Sequence, residues 1–258
     1  MSKPKIAFFE FTSCEGCQLT VVDSLQTHPE LLEAVEIVQF REAMTERGDD
    51  YQIAFIEGSC TRQSDADRLA GIRKQAQIVV ALGACAHIAG VNALRNRCEL
   101  KQNLAEVYGQ GDGAAGGARV RPDLLDVFPD ARPISAIIPV DAVLPGCPID
   151  RDEFVRATGQ LLQGRLPQIP DYPLCVECKL KENVCLYQRG KTCLGPVVRA
   201  GCGAICPSYG DGCEGCRGLI SNPNTESMRS VLAEAGRSVD DLLPGYSLFG
   251  TYDLMHRG

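Results

Sequence analysis

Between Cys175 and Cys216 the sequence places eight cysteines in 42 residues, spaced C-x2-C-x6-C-x7-C and then C-x3-C-x6-C-x2-C. The stretch has little apolar periodicity. It cannot build a hydrophobic core of its own and must be organised around something bound. Eight thiols make two four-ligand sites. The simplest division is local: Cys175, Cys178, Cys185 and Cys193, then Cys202, Cys206, Cys213 and Cys216. Zinc would satisfy either quartet, as would iron–sulfur clusters.

The whole chain carries 14 cysteines in 258 residues. Disulfide-dense secreted proteins are usually much smaller and carry a signal peptide. Here the N-terminus, MSKPKIAFFEF, has a short apolar run with no small-residue cleavage site and no twin-arginine pair. No run approaches the ~18 apolar residues of a membrane span. The expectation is a soluble cytoplasmic protein whose thiols do metal or redox work. The net charge of -7 and the absence of a basic cluster with interleaved aromatics argue against nucleic acid as a partner.

The first ~165 residues alternate strand and helix patterns in the manner of α/β domains. Strands are expected at 5–11, 34–40, 51–58 and 76–85, with a fifth within 134–147. Helices are expected over 17–26, over 64–75 with Ser64 as N-cap and Asp67 at the capping-box position, and over 151–164. Short, nearly continuous apolar strands predict a parallel sheet covered on both faces, doubly wound and flavodoxin-like. The Gly-rich stretch 108–120 follows no strand and reads as a surface loop. Three prolines in 165–173 read as a linker. The expected organisation is a flavodoxin-like domain (1–165), a small loop-rich two-cluster iron–sulfur domain (166–220) and a tail (221–258) that packs back or meets a partner.

Five cysteines fall just past predicted strands: Cys14 and Cys17 in FTSCEGCQLT, Cys60 in EGSC, Cys85 in GACA and Cys147 in PGCP. Parallel strands deliver their carboxyl ends to one edge, so these thiols converge on one rim of the sheet. A C-x-x-C alone would serve as a redox dithiol, but a dithiol needs no further thiols from other strands. Structural zinc usually takes its ligands from two close knuckles, whereas a cubane cluster suits single cysteines from distant loops. Cys14, Cys17, Cys85 and Cys147 are the chosen four. Cys60 is left as a buried small hydrophobe or a spare thiol, and Cys98 is given no role. Gly16, Gly83 and Gly146 beside the thiols would let backbone N–H groups approach the bound sulfide.

In the second constellation, Cys206-Pro207 is similar to the Cys-Pro that closes a ferredoxin run, and interleaved ligation, as in two-cluster ferredoxins, is the other arrangement of the eight thiols. Twelve ligands for three clusters describe an electron wire. His28, His87 and His256 are scattered, and no nucleophile–base pair or dinucleotide fingerprint stands out, so the catalytic centres are expected in other subunits.

The motifs FTSCEGCQLT, IEGSC, LGACA, PGCPID, CVECKLKENVC, CLGP and CGAICPSYGDGCEGC resemble the small subunit of nickel–iron hydrogenases, over residues ~5 to 220. They are more narrowly similar to the cytoplasmic NAD(P)-linked, sulfhydrogenase-like group. The resemblance implies a flavodoxin-like domain whose Cys14, Cys17, Cys85 and Cys147 hold a proximal 4Fe–4S cluster beside the large subunit's nickel–iron centre. It implies medial and distal clusters on the C-terminal cysteines. Cys175 stands where the periplasmic branch has a His, and a fourth medial thiol, Cys202, implies a four-iron cluster in place of a three-iron one. Both departures favour lower potentials. The implied cofactors are three 4Fe–4S clusters. The implied partners are the nickel–iron large subunit and flavin/iron–sulfur NAD(P)-reductase subunits. Glu57 matches a carboxylate that the family keeps near the proximal cluster. The alternatives are the same subunit coupled to F420, ferredoxin or a disulfide, and a zinc-stabilised scaffold without redox activity.

Overall fold

The computed structural model describes residues 3–108 and 126–256. Apart from Tyr108, the Gly-rich stretch expected to be a surface loop lies outside the described residues. Five strands form one fully parallel sheet: β1 (Lys5–Glu10), β2 (Glu36–Gln39), β3 (Ile53–Glu57), β4 (Ile78–Leu82) and β5 (Ala142–Leu144), in the order β2-β1-β3-β4-β5. This is the flavodoxin-like order, and the strands are apolar on both sides as expected.

Alternation along each strand sends odd and even residues to opposite layers. Ile6, Phe8, Ile53, Phe55, Val80 and Leu82 pack against α1 (Gly16–Thr27) and α6 (Arg151–Leu162). Ala7, Phe9, Ala54, Ile56, Val79 and Ala81 pack against α3 (Gln63–Gln75) and α4 (Gly83–Ile88). In the first layer Phe8 stacks on Phe55 at 4.9 Å, and Phe154 of α6 closes the aromatic cluster 5.7 Å from Phe55.

Three local expectations are corrected. A short helix, α2 (Glu30–Ala34), precedes β2 and leaves that strand only four residues. Strand four stops at Leu82, because Gly83 takes a φ of +82° and turns the chain into α4; Cys85 therefore sits on a helix and does not end a strand. Helix α3 begins at Gln63 and is not capped by Ser64. Its first amides, Gln63 and Ser64, donate to the carboxylate of Asp126 from a loop 62 residues away. A further helix, α5 (Leu100–Tyr108), follows the 3-10 segment Gly90–Arg97.

The cysteine-rich part contains only short helical pieces, α7 (Cys175–Leu180), a 3-10 turn (Leu186–Arg189) and α8 (Ile205–Ser208), joined by turns. Its apolar residues Leu174, Leu194, Val197 and Val198 do form a small cluster, with Met228 of α9 (Thr225–Glu234), Leu232 and Leu242 of the tail completing it. The last helix, α10 (Leu243–His256), packs back on the sheet domain, where Phe249 meets Ala84 and Ile88. Among the described residues no helix is long and apolar enough to cross a membrane.

Candidate metal centres

The strand register places Glu10, Glu57 and Leu82 side by side at the carboxyl edge. The turns that leave this edge carry the first thiols. Cys14 lies in the β1–α1 turn, Cys17 in the first turn of α1, Cys85 on α4 and Cys147 in the turn after β5. Cys85 is within electrostatic reach of Cys147 and Cys14, and Cys17 of Cys85 and Cys147. Burial first, and then these neighbours, push the Cys85 thiol up to about 12; burial likewise raises Cys17 and Cys147. Such thiols are neutral at pH 7 unless a cationic group binds them.

Space is kept open around the sulfurs. A Cβ on Gly83 would overlap the Cys17 sulfur, and one on Gly90 would come within 3.2 Å of the Cys85 sulfur. Glycine is therefore required at Gly83 for space beside a thiol, and Gly90, five residues past Cys85, gives the same clearance from inside an apparently ordinary loop. The carboxylate of Glu57, the last residue of β3, accepts the peptide N–H groups of Cys17 and Gln18.

Cys60 is separated from this set. Its backbone pairs with Arg132 through two hydrogen bonds of 2.9 and 3.0 Å, and its side chain is fully buried in the layer opposite Cys17. Burial pushes its thiol up to about 11. Cys98 is exposed at the end of the 3-10 segment. His28 pairs with Glu30 and His256 with the Tyr252 carbonyl, away from the thiols.

Contacts among the eight C-terminal thiols follow the two local groups except at Cys213, which faces Cys193 as well as Cys216 and Cys202. Cys175 faces Cys193, Cys178 and Cys185, and burial raises it to about 11. Cys216 faces Cys202 and Cys206, and burial raises it to about 12. A cavity of about 360 Å³ is lined by Cys147, Cys202, Cys206, Cys213 and Cys216. The groups also touch one another. The Cys213 N–H donates to the Cys193 sulfur at 3.3 Å, and the Cys147 N–H faces the Cys216 sulfur. Gly195 donates its N–H to the same Cys193 sulfur at 3.4 Å, and a Cβ there would crowd both Cys175 and Cys193 sulfurs. Glu177, between Cys175 and Cys178, accepts the N–H groups of Gly201 and Ala204 on either side of Cys202.

Among the described residues, no three His, Cys, Asp or Glu side chains converge closely enough to hold a single metal ion. The donor sets are all sulfur, with a cavity beside Cys147, Cys202, Cys206, Cys213 and Cys216, N–H groups donating to the Cys193 sulfur, and glycines where a side chain would crowd Cys17, Cys85, Cys175 and Cys193. That donor set fits clusters bridged by sulfide.

Residues 14–161, more than half of the chain, match the family described as NADH ubiquinone oxidoreductase, 20 Kd subunit. The sulfhydrogenase 2 subunit delta of Pyrococcus furiosus is 35% identical, over 89% of this chain and 92% of its own. One subunit of the vhu F420-non-reducing hydrogenase of Methanococcus voltae is 28% identical, over 98% of this chain and 96% of its own. A solved NAD+-reducing [NiFe]-hydrogenase in the H2-reduced state superposes with a TM-score of 0.59 at 31% identity, over 66% of this chain and 96% of that one. A parallel sheet that gathers cysteines at its carboxyl edge, in a chain with these matches, belongs to the 20 Kd subunit family. Within that family it is the iron–sulfur small subunit of a nickel–iron hydrogenase.

Proposed function

We propose that this subunit relays electrons between the nickel–iron site of the large subunit and a flavin- and iron–sulfur-containing NAD(P)-reducing module, in the cytoplasm. In this reading Cys14, Cys17, Cys85 and Cys147 hold the proximal 4Fe–4S cluster. Cys202, Cys206, Cys213 and Cys216 hold the medial one, and Cys175, Cys178, Cys185 and Cys193 the distal one. The division of the chain is then a flavodoxin-like domain (1–165), a two-cluster domain (166–220) and a tail (221–258).

The observation that carries the reading is the linear order of the three thiol groups. Cys147 of the first faces Cys216 of the second, and Cys213 of the second donates to Cys193 of the third. When bound, the clusters would accept and release single electrons. The protein's own part is to order the thiols, exclude water and aim peptide dipoles. Cys17 and Cys213 are buried, whereas Cys14, Cys147 and Cys206 are exposed; in this reading the large subunit completes the exclusion of water at the first group. Gly195 and Cys213 N–H groups stabilise negative charge on the Cys193 sulfur. Val176, Leu180 and Val184 stand exposed around the third group, and this apolar face is assigned to the reductase module.

The test is to isolate the native complex and measure iron, acid-labile sulfide and hydrogen-dependent reduction. About twelve irons per chain are expected from three four-iron clusters, with turnover of NAD(P)+. Zinc in place of iron would overturn the relay. Reduction of F420, ferredoxin or a disulfide without reduction of NAD(P)+ would overturn the assigned partner.

A further inference from the structure

A buried ion pair lies where the first and second thiol groups meet. Arg217, directly after Cys216, is 1% exposed, and Glu153 of α6 is 4% exposed. The guanidinium makes contacts in three directions. Its Nε donates to the Ala200 carbonyl at 2.6 Å, Nη1 to the Pro145 carbonyl at 2.7 Å, and Nη2 to both carboxylate oxygens of Glu153 at 2.8 and 3.0 Å. Ala200 is two residues before Cys202, and Pro145 is two residues before Cys147. One planar side chain thus grips the backbones of both thiol-bearing loops.

The anchor is itself fixed. Glu153 lies in the first turn of α6, and its N–H donates to the capping carboxylate of Asp150 at 2.8 Å. The loop before Cys202 is shaped around the pair. Gly201 has a φ of +114°, and a Cβ there would overlap the guanidinium and come within 2.9 Å of Glu153 Oε1. Arg217 also lines the cavity that Cys147, Cys202, Cys206, Cys213 and Cys216 surround. A buried ion pair is weak evidence for stability, since desolvation opposes the attraction. Its geometry is the better guide to its purpose, because a rigid fork of donors can hold two carbonyls at a set separation where a Lys cannot.

We propose that Arg217 is a positioning residue that fixes the separation of the Cys147 turn and the Cys202 loop. It thereby sets the rate at which one electron passes between the groups they hold. This rests on the relay reading above; the transfer itself moves one electron and makes or breaks no bond.

The test uses the complete hydrogenase complex. Arg217→Met alone strands Glu153 as a buried, unpaired charge, so the informative variant is Arg217→Met with Glu153→Leu, which removes both charges. Arg217→Lys keeps the charge and loses the fork. Three readouts are taken: iron per chain, the magnetic splitting between the reduced proximal and medial clusters by EPR, and freeze-quench EPR of their reduction after mixing with hydrogen. The expected result is unchanged iron, altered splitting and medial reduction slowed tenfold or more in the double variant, with Arg217→Lys also slowed. Full iron with unchanged splitting and rate overturns the proposal. So does loss of four irons, which would make Arg217 an assembly residue, and so does wild-type behaviour of Arg217→Lys, which would make its charge sufficient. If the unmodified complex lacks the medial signal, the relay reading itself fails, independently of Arg217.

Discussion

Glu57, the last residue of β3, accepts the peptide N–H of Cys17 at 3.2 Å across forty positions of sequence. It accepts the Gln18 N–H at 2.8 Å as well. Helix α1 has no cap of its own, since Glu15 sits at a φ of 63° and offers it no side-chain hydrogen bond. The neighbouring strand supplies the cap. Burial raises the carboxyl of Glu57 above its ordinary range, and the two N–H groups pull it back down. Glu57→Ala leaves two buried N–H groups without acceptors, at about 1–3 kcal/mol each when unsatisfied. The expected outcome is a clear fall in the thermal midpoint, with Glu57→Gln intermediate because it retains one carbonyl acceptor. An unchanged midpoint in Glu57→Ala by calorimetry would contradict the capping role.

The thiol assignment predicts unequal effects of Cys→Ser changes. Cys85→Ser is expected to lose about four irons, the content of one cluster, and with them hydrogen-driven reduction of any acceptor. Cys60→Ser should keep full iron and lose about 1–3 kcal/mol of stability, as a hydroxyl replaces a thiol in an apolar layer. Cys98→Ser, at an exposed position, should be nearly silent. Iron and sulfide analysis beside thermal unfolding separates the three.

Two glycines provide a matched contrast. Gly83 has a φ of +82° and a would-be Cβ on top of the Cys17 sulfur. Gly83→Ala is expected to abolish iron binding at the first group without removing any thiol. Gly71 lies inside α3, and a Cβ there meets nothing within 4 Å. Gly71→Ala is expected to stabilise the protein by about 0.5–1 kcal/mol, because alanine restricts the unfolded chain and suits a helix. Visible absorption reports the first variant and a denaturation midpoint the second.

The start of α3 should depend on pH through Asp126. The N–H of Ser64, followed by that of Gln63, holds its carboxyl below the ordinary range. A depressed folded value means that the contribution is full above the unfolded pKa, about 3.9, and fades as pH falls through the folded value. Amide exchange at Gln63 and Ser64 should therefore be slower in the wild type than in Asp126→Asn from pH 8 to about 5, and the difference should shrink below about 4. A gap that widens on acidification would reverse the sign and refute the contact.

Apolar pattern and cysteine spacing carried the architecture. The runs KIAFFE, IAFIE and IVVAL hide both sides of their strands, and such runs can lie only in a sheet covered on both faces. From that sheet five cysteines were expected at one edge, and the structure brings Cys14, Cys17, Cys85 and Cys147 within electrostatic reach of one another. Other features depended on which distant backbones meet. Cys60 reads like its four companions, yet its bridge to Arg132 turns the thiol into the other layer. Ser64 reads as a helix cap, yet a carboxylate 62 residues away does that work. Arg217 stands in a cysteine-rich stretch with no pattern that marks it as buried; only the approach of α6 buries it against Glu153. Local periodicity records what a segment must hide from water. It is blind to long-range polar pairs, because their geometry exists only after the loops have come together.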